Sequence, residues 1–215
     1  FNGVYSAAYV WVNGRKVGYT QGPNNDSEFN VTRYLKTGRK NLVCVEVYRW
    51  SDGSYIEDQD MFRMSGIHRE VYLEARQRLH AQDVYLTSHD LRHARMNVQL
   101  KVLNAGKKAG MVKADVALVG PDGKPVQTAV VGRTEPLAKG DTALLQLSLD
   151  VANPLLWTAE TPNLYTVNVA VNGDISTQKF GFRKIENRDG RVFINNRRVL
   201  FKGTNRHDTD PVHGK

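Results

Sequence analysis

The chain has 215 residues, 40% of them hydrophobic and 24% charged, so it is long enough for one or two packed domains and its composition is that of a globular protein. Its formal net charge is +8. Lys and Arg are scattered through strand-like patterns with no basic helix or Arg-rich tail, the densest group being Arg76 and Arg78 with Arg92 and Arg95, so nucleic-acid binding is not expected. No apolar run approaches the roughly 18–20 residues of a membrane helix, and no membrane association is expected. One cysteine, Cys44, excludes an intrachain disulfide and a cysteine-built zinc module; its place in Asn41–Val47 predicts a small buried side chain in a strand.

The elements are read as follows. Tyr9–Val12 and Arg15–Tyr19 flank Asn13-Gly14, whose residues tolerate the positive φ of a type I′ turn, so a hairpin is predicted there. Leu42–Tyr48 alternates in the manner of a strand, and Val71–Glu74 is predicted to close this first block as another. Between them lies Trp50–Ile67, with four acidic residues and three aromatics in a loop-like run. Carboxylates beside aromatic rings suit a sugar: the carboxylates accept hydroxyl hydrogen bonds and the rings cover apolar C–H faces.

A second block starts near Arg76. Its predicted strands are Ala81–Ser88, Arg95–Leu103, Lys113–Val119, Ala143–Leu149, Tyr165–Val171 and Ile175–Phe182. Turn chemistry separates them at Asn104–Gly106, Pro121–Lys124 and Asn172–Asp174. Short strands at this spacing predict an antiparallel immunoglobulin or fibronectin III-like sandwich, without the paired cysteines of antibody domains. Trp157, between Pro154 and Pro162, is expected at a core or corner position. A third piece, Arg191–Ile194, Asn195-Asn196 and Arg197–Phe201, reads as a hairpin. It runs into Gly203-Thr204-Asn205-Arg206-His207, a polar strand end of the kind that carries chemistry. The fold class is therefore all-β.

Four segments, in order, resemble the large microbial β-galactosidases of glycoside hydrolase family 2: Val12–Tyr19, Trp50–Ile67, Pro154–Trp157 with Pro162–Tyr165, and Gly203–His207. The resemblance implies three parts. Residues 1–75 would be the C-terminal part of a jelly-roll sugar-binding domain, 76–183 an immunoglobulin-like β-sandwich, and 184–215 the lead-in to a TIM barrel. The chain is then expected to be a segment of a longer polypeptide.

It implies terminal β-galactosides such as lactose as substrates, and retaining hydrolysis by two glutamates on later barrel strands, so no catalytic residue is assigned within this chain. Asp60, in Glu57–Met61, matches a carboxylate that reaches a galactose hydroxyl and a bound sodium ion, and His207 matches a histidine that touches the sugar. Phe62 stands where Trp is common, and Asp208 where Glu is frequent. Sodium and magnesium are implied as cofactors of the parent enzyme, with none held by this chain alone. A homo-oligomeric parent is implied as well. The other reading of an all-β chain with an aromatic–carboxylate loop is a non-catalytic carbohydrate-binding or structural module. No signal peptide is visible, and neither a cytoplasmic nor a periplasmic address is legible.

Overall fold

The computed structural model describes residues 1–22, 24–57, 64–88, 91, 93–133, 135–205, 210 and 212. The chain divides into two units, Phe1–Glu74 with Thr204–Lys215, and Ala75–Gly203.

The first unit has the strands β1 (Val4–Tyr5), β2 (Ala7–Val12), β3 (Arg15–Gln21), β4 (Val43–Tyr48) and β5 (Gly66–Ile67), with a 3-10 turn at Thr32–Tyr34 between β3 and β4 and one helical turn, α1 (Gly53–Ile56), between β4 and β5. The three-stranded sheet has the order β3-β2-β4, and β1 pairs with β5. The hairpin forms at Asn13-Gly14, where φ is 52° and 77°, and Val12 pairs with Arg15. Both residues sit in the left-handed region that a two-residue I′ turn demands, which is why Asn-Gly is found there. Alternation along β2 buries Ala8, Val10 and Val12. The opposite face carries Tyr9, stacked at 4.7 Å on Tyr19 and at 5.8 Å on both Trp11 and Tyr48.

Two expectations fail in this unit. Cys44 is exposed, because β4 is an edge strand of its sheet and period-2 alternation places Cys44 opposite Trp11 rather than beside the buried Val10. Val71–Glu74 is no strand, and Val71, Tyr72 and Leu73 are exposed.

The second unit is a sandwich of seven antiparallel strands followed by a small sheet. The strands are β6 (Leu79–Ser88), β7 (His93–Asn104), β8 (Lys113–Val119), β9 (Pro125–Gly132), β10 (Thr142–Ala152), β11 (Tyr165–Val171) and β12 (Asp174–Phe180). They form two sheets, β10-β7-β6 and β12-β11-β8-β9. Strict alternation sends Met96, Val98, Leu100 and Val102 of β7 inward to meet Val116 and Leu118 of β8 and Val167, Val169 and Val171 of β11. This interleaving of two inner faces builds the core.

Strand β9 was not foreseen. Its residues are mostly exposed and it begins with Pro125, a residue that an edge strand tolerates at its first position. At the start of β11, the Tyr165 hydroxyl accepts a hydrogen bond from the Leu155 amide at 2.9 Å, fixing the chain where it turns into the strand. Asp174, only 8% exposed, accepts from the Gln77 amide at 2.9 Å and pairs with Arg76 at 3.2 Å, which anchors the start of this unit to the β11–β12 turn.

Trp157 is half-buried at a corner. Its amide donates to the Phe182 carbonyl at 2.9 Å, and the Arg183 guanidinium lies 4.5 Å over its ring. The last sheet, β13 (Ile185–Arg188), β14 (Arg191–Ile194) and β15 (Arg197–Arg198), docks on that corner: Asn195 donates its side-chain amide to the Trp157 carbonyl at 2.9 Å. The hairpin turns at Asn195-Asn196 with φ of 51° and 64°, as expected, but β15 is two residues long and Leu200 and Phe201 are exposed beyond it.

In β13, Glu186 lies between Lys184 at 2.8 Å and Arg188 at 2.7 Å. The hydrogen bond from Lys184, then that from Arg188, hold its carboxyl below the ordinary value against the opposing effect of burial. A carboxyl whose folded pKa is depressed adds stability above its unfolded pKa and loses it as pH falls through the folded one. NMR titration is expected to find Glu186 protonating below the ordinary glutamate value, with Lys184→Met raising its midpoint; an unmoved midpoint would contradict the assignment.

Candidate carbohydrate site

The described part of the Trp50–Ile67 run is Trp50–Glu57 and Met64–Ile67. Asp60, the predicted sugar and sodium ligand, lies outside the described residues, as do Phe62 and His207. What the structure does describe is how the leading half of the run is pinned. Ser51 and Ser54 are three residues apart across α1, and both hydroxyls reach Ser6, at the junction of β1 and β2. The Ser6–Ser54 bond is 2.9 Å, and the Ser51 amide donates to the Ser54 hydroxyl at 3.1 Å. Ser6 and Ser54 are each 4% exposed, so these hydroxyls serve as one another's solvent.

At Gly53 the Gln21 side-chain amide comes close to the backbone, 2.7 Å from where a Cβ would lie. The turn closes with the Glu57 amide donating to the Gly53 carbonyl at 2.8 Å. Tyr55 is left 79% exposed, its ring open to solvent, whereas the Arg49 guanidinium lies 5.5 Å over the ring of Trp50. The sequence reading missed the serine cluster. Its signal was the three-residue spacing of Ser51 and Ser54 around Asp52-Gly53.

Removing one hydroxyl from this cluster strands its neighbours. Ser54→Ala is expected to cost about 1–3 kcal/mol, the usual penalty for buried polar groups that lose a partner. A thermal unfolding midpoint unchanged in that variant would count against the cluster as the anchor of the turn.

Beside the turn lies a cavity of about 260 Å³, bordered by Tyr5, Ser6, Gln21, Asn24, Ser54 and Glu57 among others. Among the described residues no Lys or Arg lines it, and Glu57 is the one carboxylate. Such a set donates to and accepts from a neutral, hydroxyl-bearing ligand. A retaining pair needs two carboxyl groups roughly 5–5.5 Å apart, and Glu57 alone is not such a pair. Among the described residues there is no group of three or more His, Cys, Asp or Glu that could hold a metal.

Family comparison matches nearly the whole chain in three consecutive pieces. The glycosyl hydrolases family 2 sugar-binding domain matches residues 1–76, the model described simply as glycosyl hydrolases family 2 matches 79–183, and the family 2 TIM barrel domain 185–215. The chain belongs to glycosyl hydrolase family 2. Within the family, it is 40% identical over its whole length to a β-galactosidase of Actinobacillus pleuropneumoniae and 38% identical to one of Clostridium acetobutylicum. It spans only 20% and 24% of those relatives' lengths. Its fold is that of a Bacteroides uniformis β-glucuronidase, with a TM-score of 0.83 at 24% identity over 99% of this chain and 27% of the other. A Parabacteroides merdae β-glucuronidase superposes with a TM-score of 0.76 at 25% identity, over 97% of this chain and 28% of the other. The all-β class holds: a partial jelly-roll unit, then the immunoglobulin-like sandwich, then the lead-in to a barrel.

Among the described residues no helix is long and apolar enough to cross a membrane.

Proposed function

We propose that this chain is the part of a retaining β-galactosidase that joins the sugar-binding domain to the barrel, supplying scaffold and two contacts to the sugar. The observation that carries the reading is identity of 38–40% to curated β-galactosidases along the entire chain. In this reading Asp60, which follows the serine-pinned turn in sequence, accepts a hydrogen bond from a galactose hydroxyl and gives one oxygen to a sodium ion. His207 donates or accepts a hydrogen bond at the sugar, as a neutral imidazole can do both. The acid–base glutamate and the nucleophile belong to later barrel strands, as does the magnesium site. The whole enzyme is a homo-oligomer that takes terminal β-galactosides. A hard cation wants several oxygen ligands, so Asp60 is one donor of a set completed from outside this chain.

The test is a pair of chromogenic substrates, a β-galactoside and a β-glucuronide, offered to the full-length protein. Preferential turnover of the galactoside is the expected result. Preferential turnover of the glucuronide would overturn the substrate assignment, and turnover of neither would overturn the enzyme reading. The polar cavity beside α1 favours a second reading, a non-catalytic carbohydrate-binding module. Calorimetry of the 215-residue chain with galactose and lactose separates the two. Binding tighter than about millimolar would favour the module.

A further inference from the structure

Three asparagines of this chain precede a glycine: Asn2, Asn13 and Asn172. A glycine nitrogen is unshielded by any side chain and can attack the asparagine side-chain carbon, so each pair is chemically open to deamidation. The sequence ranks the three alike. The structure does not, because the reaction needs a side-chain amide that can swing onto the next backbone nitrogen.

At Asn13, the tip of the β2–β3 hairpin, the amide is held on both sides. Its nitrogen donates to the Tyr34 carbonyl and to Asn41 Oδ1, each at 2.8 Å, and its oxygen accepts from the Leu42 amide at 3.1 Å. Asn41 is fixed in turn, accepting from the Lys36 amide at 2.7 Å and donating to the Lys36 and Arg39 carbonyls at 3.1 and 3.0 Å. At Asn172, the tip of the β11–β12 hairpin, the residue is exposed but the amide is again held. Its nitrogen donates to the Met111 carbonyl at 2.9 Å and its oxygen accepts from the Lys113 amide at 3.1 Å. These bonds must open together before either side-chain carbon can be reached.

Asn2 differs. Its backbone amide donates to the Glu70 carbonyl at 3.0 Å, but among the described residues no hydrogen bond holds its side-chain amide. Its carbonyl accepts from Arg69 Nη1 at 3.4 Å. That carbonyl belongs to the peptide group whose nitrogen is Gly3, the nucleophile of the reaction. A guanidinium at the carbonyl draws electron density from the peptide group, which eases loss of the Gly3 proton and steadies the anion left behind. A carboxylate formed at position 2 would also arise beside the same cation.

We infer that Asn2 is a site of spontaneous deamidation in the folded chain, with water as co-reactant, and that folding protects Asn13 and Asn172. The Gly3 nitrogen gives its proton to solvent base and bonds to Asn2 Cγ. The Cγ–Nδ2 bond breaks, and the amide nitrogen takes up a proton and leaves as ammonia, so a cyclic succinimide remains. Water then adds across one of the two ring C–N bonds, giving aspartate or isoaspartate, with no change of oxidation state. Either product adds a negative charge. The isoaspartate also lengthens the backbone beside Phe1, whose carbonyl is tied to the Ser27 amide at 2.9 Å. The inference does not depend on the β-galactosidase reading.

The test is incubation of the folded chain at mildly alkaline pH, sampled by tryptic digestion and tandem mass spectrometry. Asn2 and Asn13 fall in one peptide, Phe1–Arg15, so their rates are compared within one molecule. Asn2 is expected to deamidate about tenfold or more faster than Asn13 or Asn172. After unfolding in guanidinium chloride the three rates are expected to converge to within about threefold. Arg69→Gln is expected to slow Asn2 about twofold or more and to leave the other two unchanged. Asn41→Ala, which removes one anchor of Asn13, is expected to speed that residue about threefold or more. Circular dichroism checks that each variant is folded, and the wild-type comparison stands without them. Asn13 or Asn172 reacting as fast as Asn2 in the folded chain would overturn the inference. A ranking unchanged by unfolding would assign it to sequence and overturn the role of the fold. An Asn2 rate unmoved in Arg69→Gln would overturn the part given to the guanidinium.

Discussion

Asp60→Ala in the full-length enzyme is expected to lower kcat/KM for a β-galactoside by about 10- to 150-fold. A hydrogen bond to a charged acceptor contributes about 1.5–3 kcal/mol, and each 1.4 kcal/mol is a factor of ten. The carboxylate would act on the sugar directly and through sodium, so the two effects need separate readouts. Asp60→Asn keeps the shape and one carbonyl oxygen but loses the charge. It is expected to retain part of the sugar contact while its activity becomes less responsive to added sodium. Steady-state kinetics with the sodium concentration varied at constant ionic strength checks both. Unchanged kcat and KM in the alanine variant would remove Asp60 from the pocket. A sodium response identical in wild type and the asparagine variant would remove it from the ion.

The largest stability effect is expected at Phe182. Its side chain is fully buried, edge-on to Tyr165 at 4.9 Å and to Phe180 at 5.1 Å. Its carbonyl holds the Trp157 amide, and Gly181 beside it has no room for a side chain, since a Cβ would meet Trp157 at 2.7 Å. The joint between the sandwich and the β13–β15 sheet therefore rests on this short stretch. Phe182→Ala is expected to cost about 3–5 kcal/mol, through lost transfer energy and an unfilled cavity. Against a total of about 5–15 kcal/mol that is a large share, and a fall in Tm of about 10–25 °C should follow. Phe182→Leu should retain much of the stability. Calorimetric or circular-dichroism melting checks the pair, and an alanine variant within about 1 kcal/mol of wild type would mean the site collapses around the gap.

Much of the fold is written in short stretches of sequence. Asn13-Gly14, Asn172-Gly173 and Asn195-Asn196 each take positive φ at both residues, and each turns a hairpin. The choice belongs to two residues whose side chains tolerate the left-handed region, so no distant contact is needed to read it. The inward face of β7 was legible for the same reason: alternation is a property of the strand itself. The edge strand β9 escaped notice because a mostly exposed strand carries little apolar pattern. Val71–Glu74 misled in the opposite direction, with a β-branched residue and apolar neighbours but no strand formed. The family, and with it the roles suggested for Asp60 and His207, came from long matching motifs and not from any local periodicity.

By itself, then, the sequence determined the turns, the strand parity and the family, because each is encoded in neighbouring residues or in an extended motif. Only the tertiary structure decided that Cys44 faces outward, that Ser6 meets Ser51 and Ser54, and that Arg15 joins Arg33 over Tyr34. Alternation says which side chains share a face, but which face is covered depends on strands and loops that arrive from elsewhere in the chain. Contacts between residues tens of positions apart require loops to close first, and a window of neighbouring residues holds no record of which closures succeed.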